Sequence, residues 1–142
     1  MSNINLPPAI ALKQSNPTGD WAAAFFADAD LVDIDALAAW FAENIELRFA
    51  NNPVITDKAT AVSVMSQFFS SISKMKHRRE NLVGTGDEVA QQAVVTYTTP
   101  DGRDLPLPVS SYLRRDSQGL LDRLWIYIDI APLYAPVPPS HD

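Results

Sequence analysis

From residue 77 onward the apolar residues change from a helical spacing of three and four to a spacing of two, and no other feature of the chain constrains its fold as tightly. Residues 77–83, 89–99, 105–113 and 120–130 are rich in Val, Thr, Tyr, Ile and Trp, the types that suit a pleated surface with one buried face. Short links separate them: Gly84-Thr85-Gly86-Asp87, Pro100-Asp101-Gly102-Arg103 and Asp116-Ser117-Gln118-Gly119. Asp-Gly pairs favour tight hairpins because both residues tolerate positive φ. The spacing therefore predicts four strands in an antiparallel meander.

The preceding half is helical in pattern. Thr18 or Asp20 is placed to cap a helix through Trp21-Ala22-Ala23-Ala24-Phe25-Phe26, and Asp33 or Asp35 one over 36–41, where Leu37, Trp40 and Phe41 form a stripe. Residues 45–49 alternate and read as a strand ended by Asn51-Asn52-Pro53. Thr56 then caps a long helix over 57–75, with Ala61, Val62, Met65, Phe68, Phe69 and Ile72 at helical spacing. Helices followed by strands make an α+β domain, with the helices on one face of a bent sheet. Prolines punctuate both ends, so residues 1–17 read as an irregular arm, 18–134 as one domain and 135–142 as a Pro-rich tail.

Composition removes several functional classes. The 142 residues include no cysteine, so a disulfide framework, a thiolate metal site and a Cys nucleophile are excluded. With two histidines, His77 and His141, no metal site is expected. Eleven basic against seventeen acidic side chains give a net charge of -6, the wrong sign for a nucleic-acid partner. No apolar run approaches a membrane span, and the first residues lack a signal peptide's basic start and apolar core, so a cytoplasmic protein is expected. The acids Asp20, Asp28, Asp30, Asp33 and Asp35 crowd the helix starts and read as caps and solubilising charge.

The order of these elements carries family words. Trp40-Phe41-Ala42-Glu43-Asn44-Ile45-Glu46-Leu47-Arg48-Phe49 resembles the helix-to-strand passage of the nuclear transport factor 2-like superfamily, and Lys76-His77-Arg78-Arg79-Glu80-Asn81 with Gly86-Asp87-Glu88-Val89 its next strand and turn. Tyr97-Thr98-Thr99-Pro100-Asp101-Gly102-Arg103 and Arg123-Leu124-Trp125-Ile126-Tyr127-Ile128-Asp129 are similar to the SnoaL-like branch. The resemblance implies a conical, cystatin-like α+β fold in which a curved, mainly antiparallel sheet wraps the long helix around an apolar pocket. It also implies a homodimer and chemistry without a cofactor. The superfamily's functions range from ketosteroid isomerases, polyketide cyclases and limonene-epoxide hydrolases to members that only bind or assemble, and fold alone does not choose among them.

Residue-by-residue matching narrows the choice. The isomerase base position falls on Phe49, its Tyr on Phe25 and its acidic donor on Ser110, so the isomerase groups are missing. The epoxide hydrolase's Asp-Arg-Asp relay finds no Arg or Asp in Gln91-Gln92-Ala93-Val94-Val95-Thr96-Tyr97-Thr98. SnoaL-like cyclases place an Asp near the end of the last strand, where Asp129 stands. Asp129 is thus the first catalytic candidate, a general base after an apolar strand, although alternation puts it on the face of Trp125 and Tyr127, opposite Leu124, Ile126 and Ile128. His77 is the second, an imidazole able to shuttle a proton; the competing reading takes Lys74 to Arg79 as a solvated basic edge that discourages strand pairing. Phe25, Phe49 and Phe69 are expected as pocket wall, and Tyr97, Ser110 and Tyr112 as polar groups facing a small apolar ligand. Two readings follow: an isomerase, cyclase or hydrolase working by acid–base chemistry, or a non-catalytic ligand-binding or dimeric assembly module.

Overall fold

The computed structural model describes residues 20–136. Its elements are α1 (Trp21–Ala29), α2 (Ile34–Ala38), β1 (Phe41–Phe49), α3 (Lys58–Ser70), β2 (Lys74–Thr85), β3 (Glu88–Thr98), β4 (Asp104–Arg115), β5 (Leu121–Tyr127) and α4 (Ala131–Tyr134). The strands form one sheet in the order β1-β5-β4-β3-β2. β2 to β5 are the expected antiparallel meander, and β1 joins β5 in parallel. The N-terminal arm, Thr18, His141 and the end of the tail lie outside the described residues.

Local chemistry sets the boundaries. Asp20 caps α1 by accepting the Ala23 N–H, and Asp33 caps α2 by accepting the Asp35 N–H. The helix expected over 36–41 stops earlier, at Ala38: the Trp40 carbonyl accepts the Leu121 N–H at 2.6 Å, which draws Phe41 into β1 opposite Leu121. Sheet pairing outweighs the apolar stripe here. Asp57, rather than Thr56, caps α3, accepting the Thr60 N–H at 2.9 Å. That helix ends at Ser70 rather than Met75. The Ser70 and Ser71 hydroxyls donate back to the Gln67 and Phe68 carbonyls, a local competition that weakens a helix end. Met75 belongs to β2, paired with Tyr97.

The concave face of the sheet carries Ile45, Leu47 and Phe49 of β1, Met75 and His77 of β2, Val95 and Tyr97 of β3, Val109, Ser111 and Leu113 of β4, and Leu124 and Ile126 of β5, in phase through the register. Against it pack Trp21, Phe25 and Phe26 of α1, Leu37 of α2, and Ala61, Met65, Phe68 and Phe69 of α3. Trp21 anchors the closed end: its indole N–H donates to the Gly86 carbonyl at 2.7 Å and the Arg115 guanidinium lies over its ring. At the other end α1 and α3 diverge from the sheet and leave a space between them. Among the described residues no helix is long and apolar enough to cross a membrane.

Candidate functional site

Helix and sheet form a cavity of about 40 Å³ at the divergent end, lined by Phe25, Phe26, Ala29, Leu37, Phe49, Met65, Phe68, Phe69, Met75, His77, Tyr97, Val109, Ser111, Leu124 and Ile126. The aromatic rings interlock edge to face. Phe68 meets Phe49 at 4.9 Å and Tyr97 at 5.6 Å between centroids, and Phe25 meets Trp40 at 5.4 Å. Such contacts fix the wall more tightly than area burial alone. Among the lining residues His77, Tyr97 and Ser111 carry the polar side chains.

His77 is held from outside the cavity. Its Nδ1 lies 2.6 Å from Oδ1 of Asp30, and its backbone N–H donates to both oxygens of the same carboxylate at 3.2 and 3.1 Å. β2 is the sheet's edge strand, so this N–H has no neighbouring strand to pair with, and Asp30, the residue that ends α1, takes it instead. The His77 ring also packs on Phe26 at 4.6 Å. With Nδ1–H donating to Asp30, the neutral imidazole keeps Nε2 as an acceptor.

Tyr97 supplies the complementary group. It is almost wholly buried, and burial, reinforced by the negative charge of Asp30, pushes its phenol well above the ordinary range. The hydroxyl therefore stays neutral and donates rather than ionises. Neither it nor the buried Ser111 hydroxyl has a hydrogen-bond partner among the described residues. Both are available to an oxygen atom placed in the cavity.

The cavity brings together Phe25, Phe49, Phe69, Tyr97 and His77 of the sequence candidates. Three others stand elsewhere. Ser110 and Tyr112 occupy the opposite sheet face, registered with Tyr127 and Trp125; in β4 the inward phase runs through Val109, Ser111 and Leu113. Ser110 accepts from the Gln92 side chain, and Tyr112 stacks near Trp125. Asp129 lies beyond the end of β5, exposed to solvent, where its Oδ1 accepts the Ala131 N–H at 3.0 Å in a turn just ahead of α4. β5 stops at Tyr127, so the strand expected over 120–130 is too short to carry Asp129 toward the cavity.

Two members of the site are absent from the sequence reading. Ser111 was legible: alternation with Val109 and Leu113 puts it inside. Asp30 was not, because one acid among five at helix ends gives no sign of which reaches an edge strand 47 positions away. Two of the other acids are engaged elsewhere: Asp28 accepts from the Trp40 indole at 2.8 Å, and Asp20 forms a two-pronged pair with Arg79.

The model of the SnoaL-like domain family matches residues 21–123. The chain belongs to the SnoaL-like family. No curated protein sequence matches this SnoaL-like chain closely. Solved structures share its nuclear transport factor 2-like fold. One is SalBIII, described as an epoxide hydrolase/cyclase-like enzyme in pyran ring formation in the polyether salinomycin, with a TM-score of 0.68 and 14% identity over 84% of this chain and 95% of that one. An NTF2-like protein of unknown function from Burkholderia pseudomallei K96243 gives 0.67 and 12% over 79% and 90%. A SnoaL-like polyketide cyclase, so described, from Jannaschia sp. CCS1 gives 0.60 and 16% over 71% and 75%. At such identities the likeness establishes the fold and leaves the chemistry to the residues.

Proposed function

We propose that this SnoaL-like domain binds a small apolar molecule bearing a carbonyl or ether oxygen and moves a proton on it. His77 acts as the general base through Nε2, Asp30 orients and balances the imidazolium that forms, and the Tyr97 hydroxyl, with Ser111, donates to the ligand oxygen as negative charge develops there. The observation that carries this reading is the placement, side by side on the sheet wall of an apolar cavity, of an imidazole clamped by a carboxylate and a phenol that stays protonated. A base beside a donor that stays neutral is what proton abstraction beside a carbonyl requires. Chemistry of this kind needs no cofactor. It suits an isomerase, a cyclase or a hydrolase, the last by activating water.

The size of the cavity argues against polycyclic ligands, and even a single ring needs its walls to give. Pockets for drug-sized molecules hold roughly 300–1,000 Å³, far beyond the space between Phe25, Phe49 and Phe69. A thermal-shift titration with monocyclic ketones, aromatic polyketide-like ketones, terpene epoxides and ketosteroids tests the reading, since a ligand of the native state raises the melting temperature with occupancy. The expected result is a shift from the monocyclic oxygen compounds, with turnover lost in His77→Ala while binding persists. Turnover lost in Asp129→Asn but kept in His77→Ala would place the chemistry elsewhere.

The outer sheet face supports a second, assembly role. Trp125 lies between the Arg48 and Arg123 guanidiniums, Tyr127 is 51% exposed, and Glu46 takes the Trp125 indole N–H. Aromatic surface with charges of both signs suits a second copy related by a two-fold axis. A homodimer on this face is therefore proposed, and sedimentation of the wild type against Tyr127→Glu tests it.

A further inference from the structure

Phe26, Met75 and His77 line the cavity and also line clefts open to solvent: Phe26 and His77 one of about 280 Å³, Met75 a groove of about 430 Å³. A side chain that faces both spaces is the whole thickness of the wall between them. The wall is built to yield, because Met75 is an unbranched thioether and β2 is an edge strand with no further strand outside it. On its outer side it is held by Asp30, which lines both outer clefts and grips His77 by ring and backbone.

Asp30 opens a turn that is itself under strain. Val32 adopts φ +52°, a left-handed conformation normal for the glycine that ends a helix and unfavourable for a β-branched residue. Beside it Leu31 is 63% exposed. Strained backbone persists where its surroundings over-determine it; here the Val32 and Leu31 N–H groups donate to the Ala29 and Asp28 carbonyls, and the Asp30 contacts to His77 tie the turn to β2. The cavity of about 40 Å³ is well short of the roughly 150 Å³ that accepts a benzene ring. Any ring must therefore enter through a wall that moves.

We propose that small apolar molecules enter the cavity through the wall formed by Phe26, Met75 and His77, and that the Asp30–Val32 turn is the latch that keeps it shut. This rests on the reading of the cavity as a ligand site, but its test needs no ligand. The chain has no cysteine, so Ser111→Cys places one thiol inside the cavity and Val95→Cys places one at a fully buried position outside it. Each is introduced into the full chain and its reaction with methyl methanethiolsulfonate is followed by mass.

Cys labelling at 111 is expected to be at least about tenfold faster than at 95, because local opening precedes global unfolding. Asp30→Ala and Met75→Ala should each accelerate labelling at 111 by about tenfold again while labelling at 95 changes little. Met65→Ala, which thins the α3 side of the same cavity, should leave the rate at 111 within about threefold. Equal rates at 111 and 95 would overturn the proposal, since the cavity would then open only when the whole domain unfolds. So would a rate at 111 indifferent to both Asp30→Ala and Met75→Ala, or one raised as much by Met65→Ala. A negative ligand titration with positive labelling would refute the ligand reading and leave the portal standing.

Discussion

The carboxylate of Asp30 takes three contacts from one residue, the ring Nδ1 of His77 at 2.6 Å and the His77 backbone N–H at 3.2 and 3.1 Å. It thereby fixes the position of the edge strand and the tautomer of the imidazole together. The expected outcome is that long-range ¹H–¹⁵N spectra of the neutral side chain show the Nδ1–H tautomer in the wild type. Asp30→Ala should shift population toward Nε2–H, the form favoured when nothing accepts from Nδ1. An unchanged tautomer would mean that the carboxylate does not set it.

The roles assigned to the site separate in turnover. On the ligand identified by thermal shift, His77→Ala should lower kcat by about a hundredfold or more, the ordinary contribution of a general base. Tyr97→Phe should cost about tenfold to a hundredfold in kcat/KM by removing one charge-assisted donor without changing the ring. Asp129→Asn should leave both constants unchanged, because the Asp129 side chain is exposed to solvent and bonds only the Ala131 N–H in a local turn.

Most of the fold was legible because it rests on period and turn chemistry: the meander, its hairpins and the caps at Asp20 and Asp33 follow from residues within a few positions of each other. The misplaced boundaries are those where a distant partner decides. Phe41 leaves its helical stripe because Leu121, eighty positions on, pairs with it. The site divides along the same line. His77 and Tyr97 face inward in phase with Met75 and Val95, which alternation records, whereas the closure of Asp30 onto β2 depends on how α1 crosses the sheet. Matching to relatives placed Ser110 in the pocket, whereas the burial pattern of β4 puts Ser111 inside with Val109 and Leu113.

Phe68 sits where the cavity wall and the core coincide, with Phe49, Phe69 and Tyr97 around its ring. Phe68→Ala should destabilise the domain by about 3–5 kcal/mol, the cost of lost transfer energy plus the void left behind. The same void enlarges the ligand space. Chemical denaturation should therefore show the lower midpoint, and a bicyclic ketone that leaves the wild type unshifted should protect the variant.

The pair between Asp20 and Arg79 gives the domain a predictable acid sensitivity. Hydrogen bonds from the Arg79 guanidinium, above all, hold the Asp20 carboxyl below the ordinary value of 3.8. A carboxyl whose value is depressed in the folded state stabilises that state fully above its unfolded value. The stabilisation is lost as pH falls through the lower folded value, because the folded chain must then take up a proton that the unfolded chain already holds. Wild-type stability should accordingly decline below about pH 4. Asp57 and Asp101 are depressed as well, so the contribution of Asp20 is read as a difference. Asp20→Asn should be less stable than the wild type at neutral pH, and the gap between the two should narrow between about pH 4 and pH 2 in urea titrations. A gap that stays constant over this range would show that the loss in Asp20→Asn does not come from the charge on the Asp20 carboxylate.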